Sequence, residues 1–215
     1  MEQHAVADSV QHPMPTVKST ASLAVALVLS ACGGPATDES IETATASAAL
    51  TAAVSQGCTF SITYQKTSSS SHPPLFEPII TRQASSTCPW PSATVVLAGS
   101  YSEPNLAIAA NDLGVAVSYT YDYSPSGSNS EYLRLLHLTP DTLSVVRFTE
   151  LLAQYEFHTS NVSCKELSLL ADGTTLQVQG TKVGIIPFEL GSGSNYIATY
   201  PDFFTSTTAP TVVAY

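Results

Sequence analysis

Short hydrophobic runs that alternate at period two constrain this chain more than any other feature. From Cys58 onward they recur at 59–64, 78–82, 94–98, 106–110, 115–121, 132–138, 143–148, 167–171, 176–178 and 183–188. Thr59-Phe60-Ser61-Ile62-Thr63-Tyr64 shows the pattern in its simplest form. In a strand successive side chains point to opposite faces, so such a run buries one face and wets the other. Turn chemistry separates the runs: Asn111-Asp112-Leu113-Gly114, Thr139-Pro140-Asp141, Asp172-Gly173 and Gly191-Ser192-Gly193-Ser194. Short strands at this spacing predict an all-β domain over 57–215, built of antiparallel meanders. Glu150 to Tyr155 alone also fits a helical turn. The apolar stretch from Tyr200 to Tyr215 predicts a last strand that pins the C-terminus.

A faint repeat runs through this region. Shifted by 61, Leu106, Ile108, Ala110, Val115 and Val117 fall on Leu167, Leu169, Ala171, Leu176 and Val178. Two hairpins in the same phase suit successive blades of a propeller, in which each blade is a four-stranded meander. Closed propellers use at least about four blades and 57–215 has room for three, so a partial propeller and a two-layer β-sandwich both remain open.

Composition narrows the partners. Only 11% of the residues are charged, against about 25% in an average globular domain. Ser and Thr fill 54 of the 215 positions, so hydroxyls solvate much of the surface. Seven Lys and Arg stand against seventeen Asp and Glu. That balance excludes a nucleic-acid binder that works by neutralising phosphates, and a polybasic grip on anionic lipid.

The N-terminus carries an address. Lys18 precedes the uncharged segment Ala21 to Ala31, eleven residues long. A spanning helix needs about 20 apolar residues, whereas a secretory signal core has this length. The segment ends Leu29-Ser30-Ala31-Cys32. These four residues resemble a bacterial lipobox at every place. The resemblance implies small residues for the peptidase at 30 and 31, and a thioether-linked diacylglyceryl group on Cys32. Gly33, rather than Asp, follows the cysteine, which by the same resemblance implies the outer membrane. The expected organisation is a signal peptide over 1–31, with Met14 as an alternative start, then a lipidated Cys32 and a tether to 56. Gly33-Gly34-Pro35 breaks structure, and Ser40 could cap a weak helix over 40–55, so the segment ahead of the β-domain is expected to be disordered or weakly helical.

The remaining cysteines are Cys58, Cys88 and Cys164, an odd number for an oxidising compartment. A strand leaving Cys58, turning through 68–74 and returning along 76–84 brings Cys88 back level with Cys58. The expected disulfide is therefore Cys58–Cys88, with Cys164 left as a thiol. His72, His137 and His158 stand isolated, with no metal-binding spacing. Residues 122–131 echo a calcium loop, but Leu133 stands where its closing Glu belongs. No nucleophile elbow and no phosphate-cradling glycine loop occurs. No metal, cofactor or catalytic residue is expected. Tyr119, Tyr121 and Tyr123 share one face at period two and form a candidate binding stripe for carbohydrate or protein.

The Ala31-Cys32-Gly33-Gly34 start, the acidic Ala/Thr tether and the Ser/Thr-rich β-domain together resemble outer-membrane lipoproteins of the myxobacterial type. That resemblance carries over no catalytic residue. The expected function is a surface-anchored binding or structural module, held to the membrane through Cys32. The alternative is an envelope hydrolase whose site forms only in three dimensions.

Overall fold

The computed structural model describes residues 51–69, 72–126, 130–155 and 159–215. The expected signal peptide, Cys32 and the first part of the tether lie outside the described residues, as does His158. The described chain is all-β. The first sheet is a meander of β1 (Thr51–Ser55), β2 (Cys58–Ser69), β3 (His72–Gln83) and β4 (Ala93–Val96). The second repeats it with β5 (Leu106–Asn111), β6 (Gly114–Tyr121), β7 (Tyr132–Leu138) and β8 (Val145–Leu151). The third holds β9 (Asn161–Leu169), β10 (Leu176–Val183), β11 (Leu190–Gly191), β12 (Asn195–Tyr200) and β13 (Thr211–Ala214), ordered β11-β13-β12-β10-β9. Every pairing is antiparallel except β11 with β13. The sheets start at residues 51, 106 and 161, a constant step of 55.

β5 and β6 of the middle sheet are buried on both faces, and their sequence explains how. Ile108, Val115, Val117 and Tyr119 face the first sheet and pack with Phe60, Ile62, Ile80 and Leu97. Ala107, Ala109 and Ala116 face the third sheet. Small residues on this second face let Leu176, Val178, Tyr196, Tyr200 and Phe203 come close. The outer faces of the stack differ. The first sheet turns Thr59, Thr63, Thr81 and Thr94 away from its core, and the third turns Gln177, Gln179, Thr181 and Thr199 away. These hydroxyl and amide faces suit water, so the sheets form an open stack of three rather than part of a closed ring.

The first hairpin turns of the three sheets meet at one end. Gln56 donates its backbone N–H to Asp112 Oδ1 (3.2 Å) and its side-chain amide to the Asp112 carbonyl (2.9 Å). Asn111 in turn donates to the Gly173 carbonyl. Gly57 is required in the first of these turns. Its φ is +77°, and a Cβ there would lie 2.3 Å from the Thr87 carbonyl oxygen. Arg82 ties the first sheet to the β7–β8 turn. It is buried, and it donates to the carbonyls of Pro91 (2.9 Å), Pro140 (2.6 Å) and Asp141.

The expected hairpin and its disulfide are present. β2 and β3 pair over most of their length, and Cys58 and Cys88 are joined with their Cα atoms 4.4 Å apart. Cys164 is a buried free thiol, and burial raises its pKa. Other expectations change. Thr51–Ser55, near the end of the expected tether, form β1 and pair with β2, so the strands begin before residue 57. Glu150 and Leu151 continue β8 instead of starting a helical turn. The run at 183–188 is a turn around Gly184, where Gln154 pairs with Ile185. The repeat keeps its phase but not its offset: Ala110 pairs Val115, while Leu169 pairs Leu176. A longer loop in the second hairpin shifts the first strand by two residues, and an even shift preserves the face.

Candidate functional site: the outer edge of the middle sheet

The layers separate at the outer strand of the middle sheet. β8 pairs with β7 on one side and with no described strand on the other. An edge strand directs a row of unpaired N–H and C=O groups outward. The register shifts between His137 and Leu138, which leaves Val146 as the extra residue of a bulge. Val145, Val146 and Phe148 are exposed, Phe148 at 64%. The open edge is therefore also apolar.

A groove flanks β8 on each face. Toward the first sheet lies one of about 330 Å³, bounded by Val95, Leu97, Tyr119, Arg134, Leu136 and Phe148. Toward the third sheet lies one of about 430 Å³, bounded by Arg147, Thr149, Tyr200, Phe203, Thr207 and Pro210. A neighbouring hollow, reached past Phe148 and Phe204, exposes part of the wall formed by His137. The segment 201–210 makes the outer lip of this second groove. It folds back through hydrogen bonds from the backbone N–H groups of Thr205 (2.9 Å) and Ser206 (2.8 Å) to the Asp202 carbonyl.

Two arginines stand on opposite faces of this edge with opposite surroundings. Arg134 pairs with Glu150 at 2.7 Å and lies over the Tyr121 ring at 3.5 Å. Burial works against its charge, but hydrogen bonds to Glu150 and Tyr119 outweigh burial and raise its pKa. Arg147 lies over the Phe203 ring at 5.0 Å and forms no ion pair with a described carboxylate. Burial alone lowers its pKa.

Two buried polar atoms on this side of the sheet have no partner among the described residues. His137 hydrogen-bonds the Leu113 backbone with one side of its ring, while Nδ1 has no partner among the described residues. Burial, then the Arg147 charge, lower its pKa and keep it neutral. The hydroxyl of Tyr200 is likewise buried without a partner, and burial raises its pKa. Gly114 makes this packing possible. A Cβ there would lie 2.6 Å from His137 Nε2 and 2.7 Å from Phe204 Cδ1.

The tyrosines of the sequence stripe stand at three depths. Tyr119 is buried and forms part of the floor of the first groove. Tyr121 is half-buried under Arg134. Tyr123 is exposed and stacks on Tyr132, with centroids 5.8 Å apart. Tyr119 and Tyr121 both pack toward the first sheet, whereas Tyr123 lies beyond the end of β6, so the three rings do not make one flat platform. Asp122 caps its own turn by accepting from the Ser124 N–H (3.0 Å), and residues 127–129 of the calcium-like loop lie outside the described residues. Among the described residues no three His, Cys, Asp or Glu side chains group as a metal site requires.

Sequence reasoning passed over Arg147, Phe148 and Tyr200. One local signal marks the edge: Val145-Val146 puts two apolar residues in succession, which breaks period two where the bulge forms. Compared with known proteins, the chain matches no family model, no curated protein and no solved structure.

Proposed function

We propose that this chain is a cell-envelope lipoprotein whose β-domain is a binding module, with β8 and its two flanking grooves as the contact element. One observation carries the reading: the β8 edge of the middle sheet, unpaired among the described residues, exposes apolar side chains and has a groove on each face. A closed interior protects the rest of the middle sheet. Binding sites of this kind combine an apolar wall with a few polar groups that fix orientation. The lipobox residues Leu29-Ser30-Ala31-Cys32 and the acidic tether support anchoring in the outer membrane. Two or three acyl chains on Cys32 would hold the module there, since one chain alone is a marginal anchor.

Two experiments test this reading. Cells fed a labelled fatty acid should label the wild-type chain and not Cys32→Ser; equal labelling would remove the anchor from the account. A photo-crosslinking amino acid at position 148 should capture a neighbouring envelope molecule, whereas the same group at position 199 should not. Capture from 199 and none from 148 would place the contact surface on the outer face of the third sheet.

A further inference from the structure

We propose that the β8 edge takes an extended acidic peptide of a partner protein as an added strand, with a carboxylate side chain of that peptide meeting Arg147. This rests on the reading of β8 as the contact element and names what it contacts.

The backbone sets the shape of the ligand. The regular ladder of β8 runs from Arg147 to Leu151, beyond the bulge at Val146. Its outward amides and carbonyls alternate at the strand repeat, and another strand matches that repeat directly. Such an addition leaves the partner's side chains pointing alternately to the two faces. Here each face has its own groove, and the two grooves differ in chemistry.

The groove toward the first sheet is lined by Val95, Leu97, Leu136 and Phe148, and its one cation, Arg134, is already paired with Glu150. It suits an aliphatic side chain. The groove toward the third sheet is lined by Arg147, which is half-buried and in no ion pair with a described carboxylate; Glu150, which also lines it, is already paired with Arg134. A half-buried guanidinium is stabilised by a carboxylate, with which it forms charge-assisted and often bidentate hydrogen bonds. The chain carries ten net negative charges, yet it supplies no described carboxylate to Arg147. Adjacent residues of a strand face opposite ways, so the recognised pattern is an acidic residue between two aliphatic ones.

The test uses the full chain in detergent and the fluorescent peptide acetyl-Thr-Val-Glu-Val-Thr-Val-amide, with Glu→Gln and with central Val→Pro versions. The glutamate peptide should bind, the glutamine peptide about tenfold more weakly, and the proline peptide not at all. Arg147→Gln should abolish the preference for the glutamate peptide over the glutamine peptide. Arg147→Lys should fall between. Equal binding of the glutamate and glutamine peptides would overturn the proposal, and this comparison needs no variant to fold. So would binding of an acidic polysaccharide with the peptides silent, or a dimer formed through β8 that excludes them. The two readings fail separately. Capture from position 148 without a glutamate preference removes the acidic peptide and keeps the contact element. No capture from 148 removes both.

Discussion

β6 and β8 belong to one sheet, yet they meet opposite fates. β6 is buried from Gly114 through Thr120, with the first sheet on one face and the third on the other. β8 exposes Val145, Val146 and Phe148, although only β7 separates it from β6. The layers are in close contact where β5 and β6 offer alanine to the third sheet, and they separate at β8, where Arg147, Phe148 and Thr149 stand between two grooves. Stability is concentrated at one side of the middle sheet and opportunity for binding at the other. Side-chain size across a single sheet is enough to create that gradient.

The gradient can be broken most severely at β6. Val117→Asp puts a carboxylate where exposure is 0%, between two packed layers. A domain holds only about 5–15 kcal/mol of stability, and an unpaired buried charge costs a large part of that, so the variant should not fold. Loss of the cooperative β-sheet signal in far-UV circular dichroism is the expected readout. The outer sheets have one buried face each, and the first sheet adds a covalent staple. Replacing both Cys58 and Cys88 by Ser opens a loop with a sequence separation of 30 residues. The chain-entropy model puts the loss at roughly 3–4 kcal/mol, measurable as a lower urea midpoint.

A smaller effect sharpens the comparison at the junction of the two regions. His137 is held neutral by burial first and by Arg147 second, so its folded pKa lies below the unfolded value of about 6.5. Above pH 6.5 both states are neutral there and the full stability is present. As pH falls below 6.5 the unfolded chain takes up a proton that the folded chain refuses, and stability declines until the folded pKa is passed. His137→Gln should flatten stability between about pH 7 and 5 relative to wild type. An unchanged slope would assign the loss to another group. The smallest effect belongs to β8 itself. Phe148→Asp, at an exposed edge, should change stability by no more than about 0.5 kcal/mol. A large loss there would mean that the edge is part of the core and not a contact surface.

The fold class was legible because period two survives through much of the strand sequence, and so was the Cys58–Cys88 pairing, which needed only the hairpin between them. β1 was not legible. Its Thr51-Ala52-Ala53-Val54-Ser55 reads as Ala/Ser/Thr tether, and the signal was the Gln56-Gly57 turn that follows, where both residues adopt positive φ. The three-layer stack lay hidden in Ala107, Ala109 and Ala116. An alternating strand with alanine, rather than charge, at every second position has two buried faces and not one. The shared face of Tyr119 and Tyr121 was readable but their depth was not, because depth depends on how far the first sheet extends over β6. The groove beside Arg147 joins residues from β8, from the end of β12 and from the 201–210 segment, and no local pattern marks such a convergence.

Residue-resolved amide hydrogen exchange on the full chain tests the contrast most directly. The account predicts that the β6 amides exchange only through global unfolding. It predicts that every second amide from Arg147 to Leu151, those not bonded to β7, exchanges orders of magnitude faster, by local access to water. Adding the glutamate peptide should slow those β8 amides and leave β6 unchanged. Uniform protection of β8 equal to that of β6 in the free chain would contradict the account, because it would mean that the edge is already covered.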